Sequence, residues 1–220
     1  MTAITNQEID SGLARARDVR AKTLEVFAEL TQEQLDRKPA QSKWIFGDKA
    51  QWSLGEHADH VLRVESYIRT EVIGKLIEMA KTYPKPILQK SLKDLKLIST
   101  AIPRILHWPA EKLINWSNQL SARFVPRRVT EFAFRYSRFP ATNPESWAPR
   151  VGRSADELRA ELSESLSKME ALFEENADAD FASMIFKHTV VGSHTVPQML
   201  RISSIHEEWH QDRFAELLKD

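Results

Sequence analysis

The chain has 220 residues, of which 42% are hydrophobic, and its 31 basic residues balance its 31 acidic residues. This size and composition argue against a disordered chain, and we expect a single domain over residues 1–220. The absence of cysteine excludes disulfides, thiolate metal ligands and a cysteine nucleophile. No run is apolar for long enough to cross a membrane, so we expect a cytoplasmic protein without a membrane partner.

Apolar residues recur at helical intervals near both ends of the chain, and only six residues are glycine, which favours an all-α fold. Residues 6–30 carry apolar side chains at intervals of three to five and predict a first helix that ends near Leu30. Thr31 and Gln34 then form the sequence pattern of a capping box, which predicts a short second helical turn.

Three further capping boxes mark the starts of the other long helices. The boxes pair Ser53 with Glu56, Ser154 with Glu157, and Thr195 with Gln198. The apolar stripes that follow predict a second helix to about Ala80, a third to about Asn176, and a last helix over the C-terminal segment. Four amphipathic helices are most simply packed as a four-helix bundle, whose core often holds a metal site.

A stretch from about 81 to 150 interrupts this pattern with eight prolines, so we expect an insertion-like connection between helices two and three. Short helices are predicted at 87–101 and 110–121. Residues 81–138 contain twelve Lys or Arg and three acids, a bias that attracts anions: nucleic acid, a carboxylate-bearing small molecule, or the acidic remainder of the protein. No recognisable nucleic-acid-binding pattern is present, so we do not expect a nucleic-acid partner.

Two histidines on the last predicted helix, His206 and His210, are four residues apart and therefore leave the same face, about 6 Å apart along the axis. This spacing permits metal chelation, but an ordinary pair of surface or half-buried histidines has it too. A metal site needs a third ligand, and the second helix offers His57 and His60. The direction of the apolar stripe lies about 30° from His57 and about 90° from His60, so helical phase mildly favours His57 as the histidine that faces the core.

Four residues at the start of the second helix, Trp52, Ser53, Glu56 and His60, resemble the W-S-x-x-E-x-x-x-H motif of the DinB/YfiT-like metalloenzyme family. The segment HTVVGSHT resembles the family's loop before the last helix, and HEEWHQDRF resembles its H-x-x-x-H segment. The three matches occur in the family's order. The long basic connection departs from the usual pattern, which puts the substrate pocket in doubt.

The resemblance implies an antiparallel four-helix bundle, often a homodimer, with a divalent metal ion held by His60, His206 and His210. We expect His57, Glu56 and His188 to be neighbours of these ligands rather than ligands, with His57 holding a ligand by a hydrogen bond. His188 and His194 are expected in a loop. The metal ion could be Zn, Ni or Fe, because three imidazoles suit each of them.

Three neutral imidazoles leave a metal ion with open positions, as in catalytic sites. The resemblance implies thiol transfer, and we expect a metal-dependent, thiol-dependent transferase or hydrolase that acts on a small molecule, with a low-molecular-weight thiol as a possible co-substrate. One alternative is a non-catalytic bundle that binds metal or a small molecule in a stress response. Another is a protein that binds anions or nucleic acid through its basic segment.

Large aromatic residues in the connections fall outside the four apolar stripes, and such rings often mark a partner surface. They are Trp44, Trp108, Trp116, Trp147, Phe132, Phe134 and Phe139. We expect a homodimer on this basis. The alternative is that the long connection folds over its own bundle and buries every ring.

Overall fold

The computed structural model of the chain describes residues 2–39, 52–82, 145–188 and 192–219. The elements in chain order are α1 (Thr2–Ala28), α2 (Gln32–Asp36), α3 (Leu54–Tyr67), a π-helix (Ile68–Gly74), α4 (Lys75–Thr82), a 3₁₀ turn (Glu145–Trp147), α5 (Ala155–Glu174), β1 (Ile185–His188), β2 (Gly192–Thr195) and α6 (Val196–Leu217). The predicted all-α class is confirmed. The helices predicted at 87–101 and 110–121 lie outside the described residues, as does nearly all of the basic segment.

All four predicted capping boxes are formed, and each helix begins one residue after its predicted cap. In each box the Ser or Thr side chain accepts a hydrogen bond from a backbone N–H three residues later. The Glu or Gln at that position accepts one from the backbone N–H of the cap. Two of the otherwise unpaired N–H groups of each helix start are thereby satisfied. The helix starts are therefore determined by local sequence.

The second long helix is continuous from Leu54 to Thr82, but it contains a π-helix of seven residues at Ile68–Gly74. The sequence predicted one regular helix to about Ala80. A π-helix is rare and often lies at a functional site, because its wider turn redirects the side chains that follow.

The link before the last helix is a two-stranded antiparallel hairpin, in which Ile185 pairs with Thr195 and His188 with Gly192. The prediction of a loop at His188 and His194 was therefore wrong. Strands of four residues are too short to give a clear alternating pattern in the sequence.

The four long helices pack around two core clusters that reveal their directions. One cluster joins the C-terminal parts of α1 and α6 to the N-terminal parts of α3 and α5, and includes Phe27, Phe214, Leu54 and Leu158. The other joins the opposite ends, and includes Ile9, Val196, Ile73 and Met169. Hence α1 and α6 point one way, and α3 and α5 point the other way.

α3 and α5, which follow one another among the described long helices, are therefore parallel. The helix over residues 54–82 is roughly 40 Å long at 1.5 Å per residue. Parallel neighbours in a bundle require a long crossover connection.

No helix within the described ranges combines the length and the apolar character that a membrane crossing would require.

Candidate metal centre

Three histidines from two helices meet inside the bundle. His60 comes from α3, and His206 and His210 come from α6. One ring nitrogen of each lies within 4.8 Å of the others. His60 is 1% exposed and His210 is 5% exposed, whereas His206 is half-buried. The structure thus brings together the three residues predicted as ligands.

The two histidines of α6 have the separation that a shared ion requires. Nε2 of His210 lies 3.3 Å from Nε2 of His206. Two nitrogens that are each about 2.0–2.1 Å from a tetrahedral ion lie about 3.3–3.4 Å apart. The spacing of one helical turn therefore gives a chelating pair without any rearrangement of the backbone.

A backbone carbonyl determines the protonation of His60. Nδ1 of His60 lies 2.9 Å from the carbonyl oxygen of Trp147, in the 3₁₀ turn. A carbonyl can only accept a hydrogen bond, so Nδ1 must carry the proton, and in the neutral ring the lone pair is on Nε2. Sequence reasoning missed this contact, because any residue type can supply a carbonyl.

A fourth histidine supports His210 from the other side. Nδ1 of His57 lies 2.9 Å from Nδ1 of His210, and one of these nitrogens donates to the other. When His210 donates, its own lone pair is on Nε2, which faces His206. The indole of Trp52 packs against the rings of His57 and His60, with centroid distances of 5.4 and 4.8 Å. Trp52 is buried and covers this side of the cluster.

A buried carboxylate fixes the segment that carries the Trp147 carbonyl. Asp59, which is 0% exposed, accepts hydrogen bonds from the backbone N–H of Arg150 at 2.7 Å and from the side chains of Arg150 and Arg153. Burial alone would raise the pKa of Asp59, but the bonds from the two arginines hold that pKa below its usual range. Ser146 adds a third attachment by accepting from Arg63 at 3.0 Å. The turn is therefore attached to α3 on both sides of Trp147.

Glu56 and His188, the other predicted neighbours, lie at a helix start and at a strand end. The carboxylate of Glu56 closes its capping box with the Ser53 N–H and pairs with Lys38 at 3.2 Å, so within the described ranges it serves the helix start. His188 lies at the end of β1, where its backbone pairs with Gly192. His194, on the facing strand, is buried.

A polar layer separates the two apolar clusters beside the histidines. Arg20 donates to Glu207 at 2.8 and 2.9 Å, to Glu65 at 2.5 Å, and to the Leu162 carbonyl; Thr23 also donates to Glu207, at 2.7 Å. These groups come from all four long helices. Burial raises the pKa of Glu65, although the charge of Arg20 opposes the rise. The helical phase of a single stripe could not identify this layer, because its partners come from four different segments.

Sequence comparison agrees with this architecture. The family model of the DinB superfamily matches residues 15–212, a range that runs from α1 into α6 and includes all three clustered histidines. Neither the comparison with curated proteins nor that with solved structures found a match to the chain. A family match over most of the chain establishes membership, and the chain belongs to the DinB superfamily.

Proposed function

We propose that His60, His206 and His210 hold a divalent metal ion, and that the protein is a metal-dependent enzyme. The observation that carries this proposal is the meeting of three imidazole nitrogens within 4.8 Å in the interior of the bundle. The donor set suits Zn, Ni or Fe, all of which accept imidazole ligands. The Trp147 carbonyl leaves the lone pair of His60 on Nε2, and the same holds for His210 when its Nδ1 donates to His57.

The proposed chemistry is thiol transfer or hydrolysis on a small-molecule substrate. Three neutral ligands leave a divalent ion its full charge and open positions, with which it can lower the pKa of a water or thiol or polarise a carbonyl oxygen. The chain has no cysteine, so a reacting thiol must come from a separate low-molecular-weight molecule. This requirement is consistent with a thiol-dependent transferase, and a hydrolase needs only water.

The chain's own residues orient the site. His57 and the Trp147 carbonyl hold two of the rings by hydrogen bonds, and Trp52 packs against the cluster and limits the access of water from its side. Such supporting contacts typically change metal affinity 10- to 100-fold. His206 is half-buried, so the cluster is more open on its side than at His60.

Elemental analysis of protein purified without a histidine tag tests the metal site, and we expect about one divalent ion per chain. A metal-free protein that also fails to take up Zn, Ni or Fe(II) on titration would overturn the proposal. Transfer of a low-molecular-weight thiol to a chromogenic electrophile, measured with and without metal, tests the enzyme. Stoichiometric metal without turnover of thiol or ester substrates would favour the non-catalytic binding bundle instead.

A further inference from the structure

A polar cavity lies away from the clustered histidines. It has a volume of about 600 Å³ and lies between α3 with its π-helix on one side and α5 on the other, next to the 3₁₀ turn. None of the clustered histidines lines it. Residues from three separate segments face it, including Arg63, Arg69, Ser146, Arg150 and Ser165. It is therefore a different site from the candidate metal centre.

The acidic residues that line the cavity are already paired with cations. Glu161 bonds to Arg153 at 2.5 Å and to Arg150, and Glu164 pairs with Lys168 at 2.8 Å. The third acid, Glu71, pairs with Lys75 on the same helix. Their negative charges are thus compensated within the protein.

Two arginines of the cavity bond to neutral oxygens in the part of the chain that the structure describes. Nε of Arg63 donates to the Ser146 carbonyl at 3.0 Å, and Arg69 donates to the carbonyl and hydroxyl oxygens of Ser165, both at 3.2 Å. Within residues 2–39, 52–82, 145–188 and 192–219, neither forms a salt bridge with a carboxylate, although the charge of Arg69 does lower the pKa of the buried Glu65. Each guanidinium has five N–H donors, so most of them remain after these bonds.

Neutral donors complete the lining. Ser66, Thr70 and Tyr67 also line the cavity, and the Thr70 hydroxyl already donates to the Ser66 carbonyl at 2.9 Å. Burial raises the pKa of Tyr67, so its phenol stays protonated and can donate at neutral pH. The π-helix carries Arg69 and Thr70, which line the same cavity as Arg63 on the preceding α-helix. Rare π-helical turns often accompany functional sites.

We propose that this cavity binds a small molecule through oxyanion groups, carboxylate or phosphate, which Arg63 and Arg69 recognise. Planar guanidinium groups bind both kinds of oxyanion through paired hydrogen bonds. The hydroxyls of Ser66 and Tyr67 can donate further bonds to the same groups. The bound molecule would lie next to Ser146, one residue before the carbonyl that holds His60.

Calorimetric titration with inorganic phosphate and, separately, with citrate tests the site at constant ionic strength. Chelator-treated protein is used, because either probe could otherwise bind a metal ion at the histidines. We expect saturable binding of at least one probe, and the stronger one distinguishes a phosphate site from a carboxylate site. The result does not depend on the proposed metal, so failure of one proposal leaves the other intact.

The variants Arg63→Gln and Arg69→Gln should each weaken binding about tenfold or more, since each removes a charge-assisted contact. Arg69→Lys keeps the charge and should lose less. The matched control is Arg17→Gln, at an exposed arginine paired with Glu170 on another face of the bundle. Circular dichroism verifies that each variant is folded.

Three results would overturn the proposal. They are the absence of saturable binding for both probes, an equal loss in Arg17→Gln, and retention of full affinity in both cavity variants. A second control is His206→Ala, whose affinity for the probes should match that of the unmodified chain. Loss of probe binding in that variant would show that the probe binds at the histidines, and it would equally contradict the proposal that the cavity binds it.

Discussion

The Trp147 carbonyl oxygen accepts a hydrogen bond from Nδ1 of His60 at 2.9 Å, so the last turn before α5 supports a side chain of α3. These two residues are 87 positions apart in sequence. The contact couples the end of the long connection to the candidate metal centre. Changes in the attachment of this turn should therefore alter metal affinity, even where they touch no ligand.

Removal of any one proposed ligand should abolish tight metal binding. We expect this for His60→Ala, His206→Ala and His210→Ala, because two imidazoles do not make a stable site. His57→Ala should weaken binding by no more than about 10- to 100-fold, since it removes only a support of His210. Titration of each variant with Zn or Ni in competition with a chromogenic chelator measures this. An empty site in His57→Ala together with a full site in His60→Ala would reverse the assignment.

Asp59→Asn should weaken metal binding about tenfold without touching a ligand, because it loosens the turn that presents the Trp147 carbonyl. The lost bonds to two arginines should also lower the free energy of unfolding by about 1.5–3 kcal/mol. Glu161→Gln is the matched control, as Glu161 bonds to the same arginines from α5. An equal loss of metal affinity in both variants would show that Asp59 has no specific positioning role.

Asp59 should also contribute to the acid sensitivity of the fold. Its pKa is lower in the folded protein than in the unfolded chain, because the bonds from Arg150 and Arg153 outweigh the effect of burial. The unfolded chain therefore binds the proton more readily, and the stabilisation by Asp59 is present above about pH 4 and lost as pH falls through the lower folded pKa. Urea unfolding between pH 3 and about pH 7 should show a smaller decrease for Asp59→Asn. Identical pH profiles would contradict this.

Arg20→Met should destabilise the protein by about 3–5 kcal/mol, because it leaves Glu65 and Glu207 buried without their shared cation. Glu65→Gln should cost much less, since one guanidinium and one carboxylate remain. Burial raises the pKa of Glu65, so this carboxyl takes up its proton at a higher pH than an exposed glutamate does. The loss of stability in Arg20→Met should therefore shrink as the solution is acidified. Urea unfolding of both variants provides the comparison, and an equal cost would contradict the charge argument.

Homodimer formation remains a prediction, and light scattering at micromolar concentration measures it. We expect a mass near twice the 25.3 kDa of one chain. One of the aromatic rings on which the prediction rests, Trp147, packs on the Tyr67 ring of its own bundle at 5.2 Å. The other rings on that list lie outside the described residues. A mass near that of one chain, unchanged by metal, would rule out a stable dimer.

Local sequence determined where the helices begin. A capping box needs only four consecutive residues, so Ser53 with Glu56 and Thr195 with Gln198 could be recognised without knowledge of the fold. The spacing of His206 and His210 likewise follows from one helical turn. The π-helix and the short hairpin were missed, because neither has a strong local signal.

Helical phase could not make the choice between His57 and His60; the family resemblance pointed to His60, and the tertiary structure brings it to the other two histidines. Helical phase mildly favoured His57 for the interior, whereas both side chains are buried and His60 joins the other two histidines. Two other contacts could be found only in the tertiary structure. The Trp147 carbonyl accepts from His60, 87 residues away, and Asp59 accepts from Arg150, 91 residues away. Sequence periodicity reports which face of one helix is apolar, but the identity of the group that meets that face depends on how distant segments pack together.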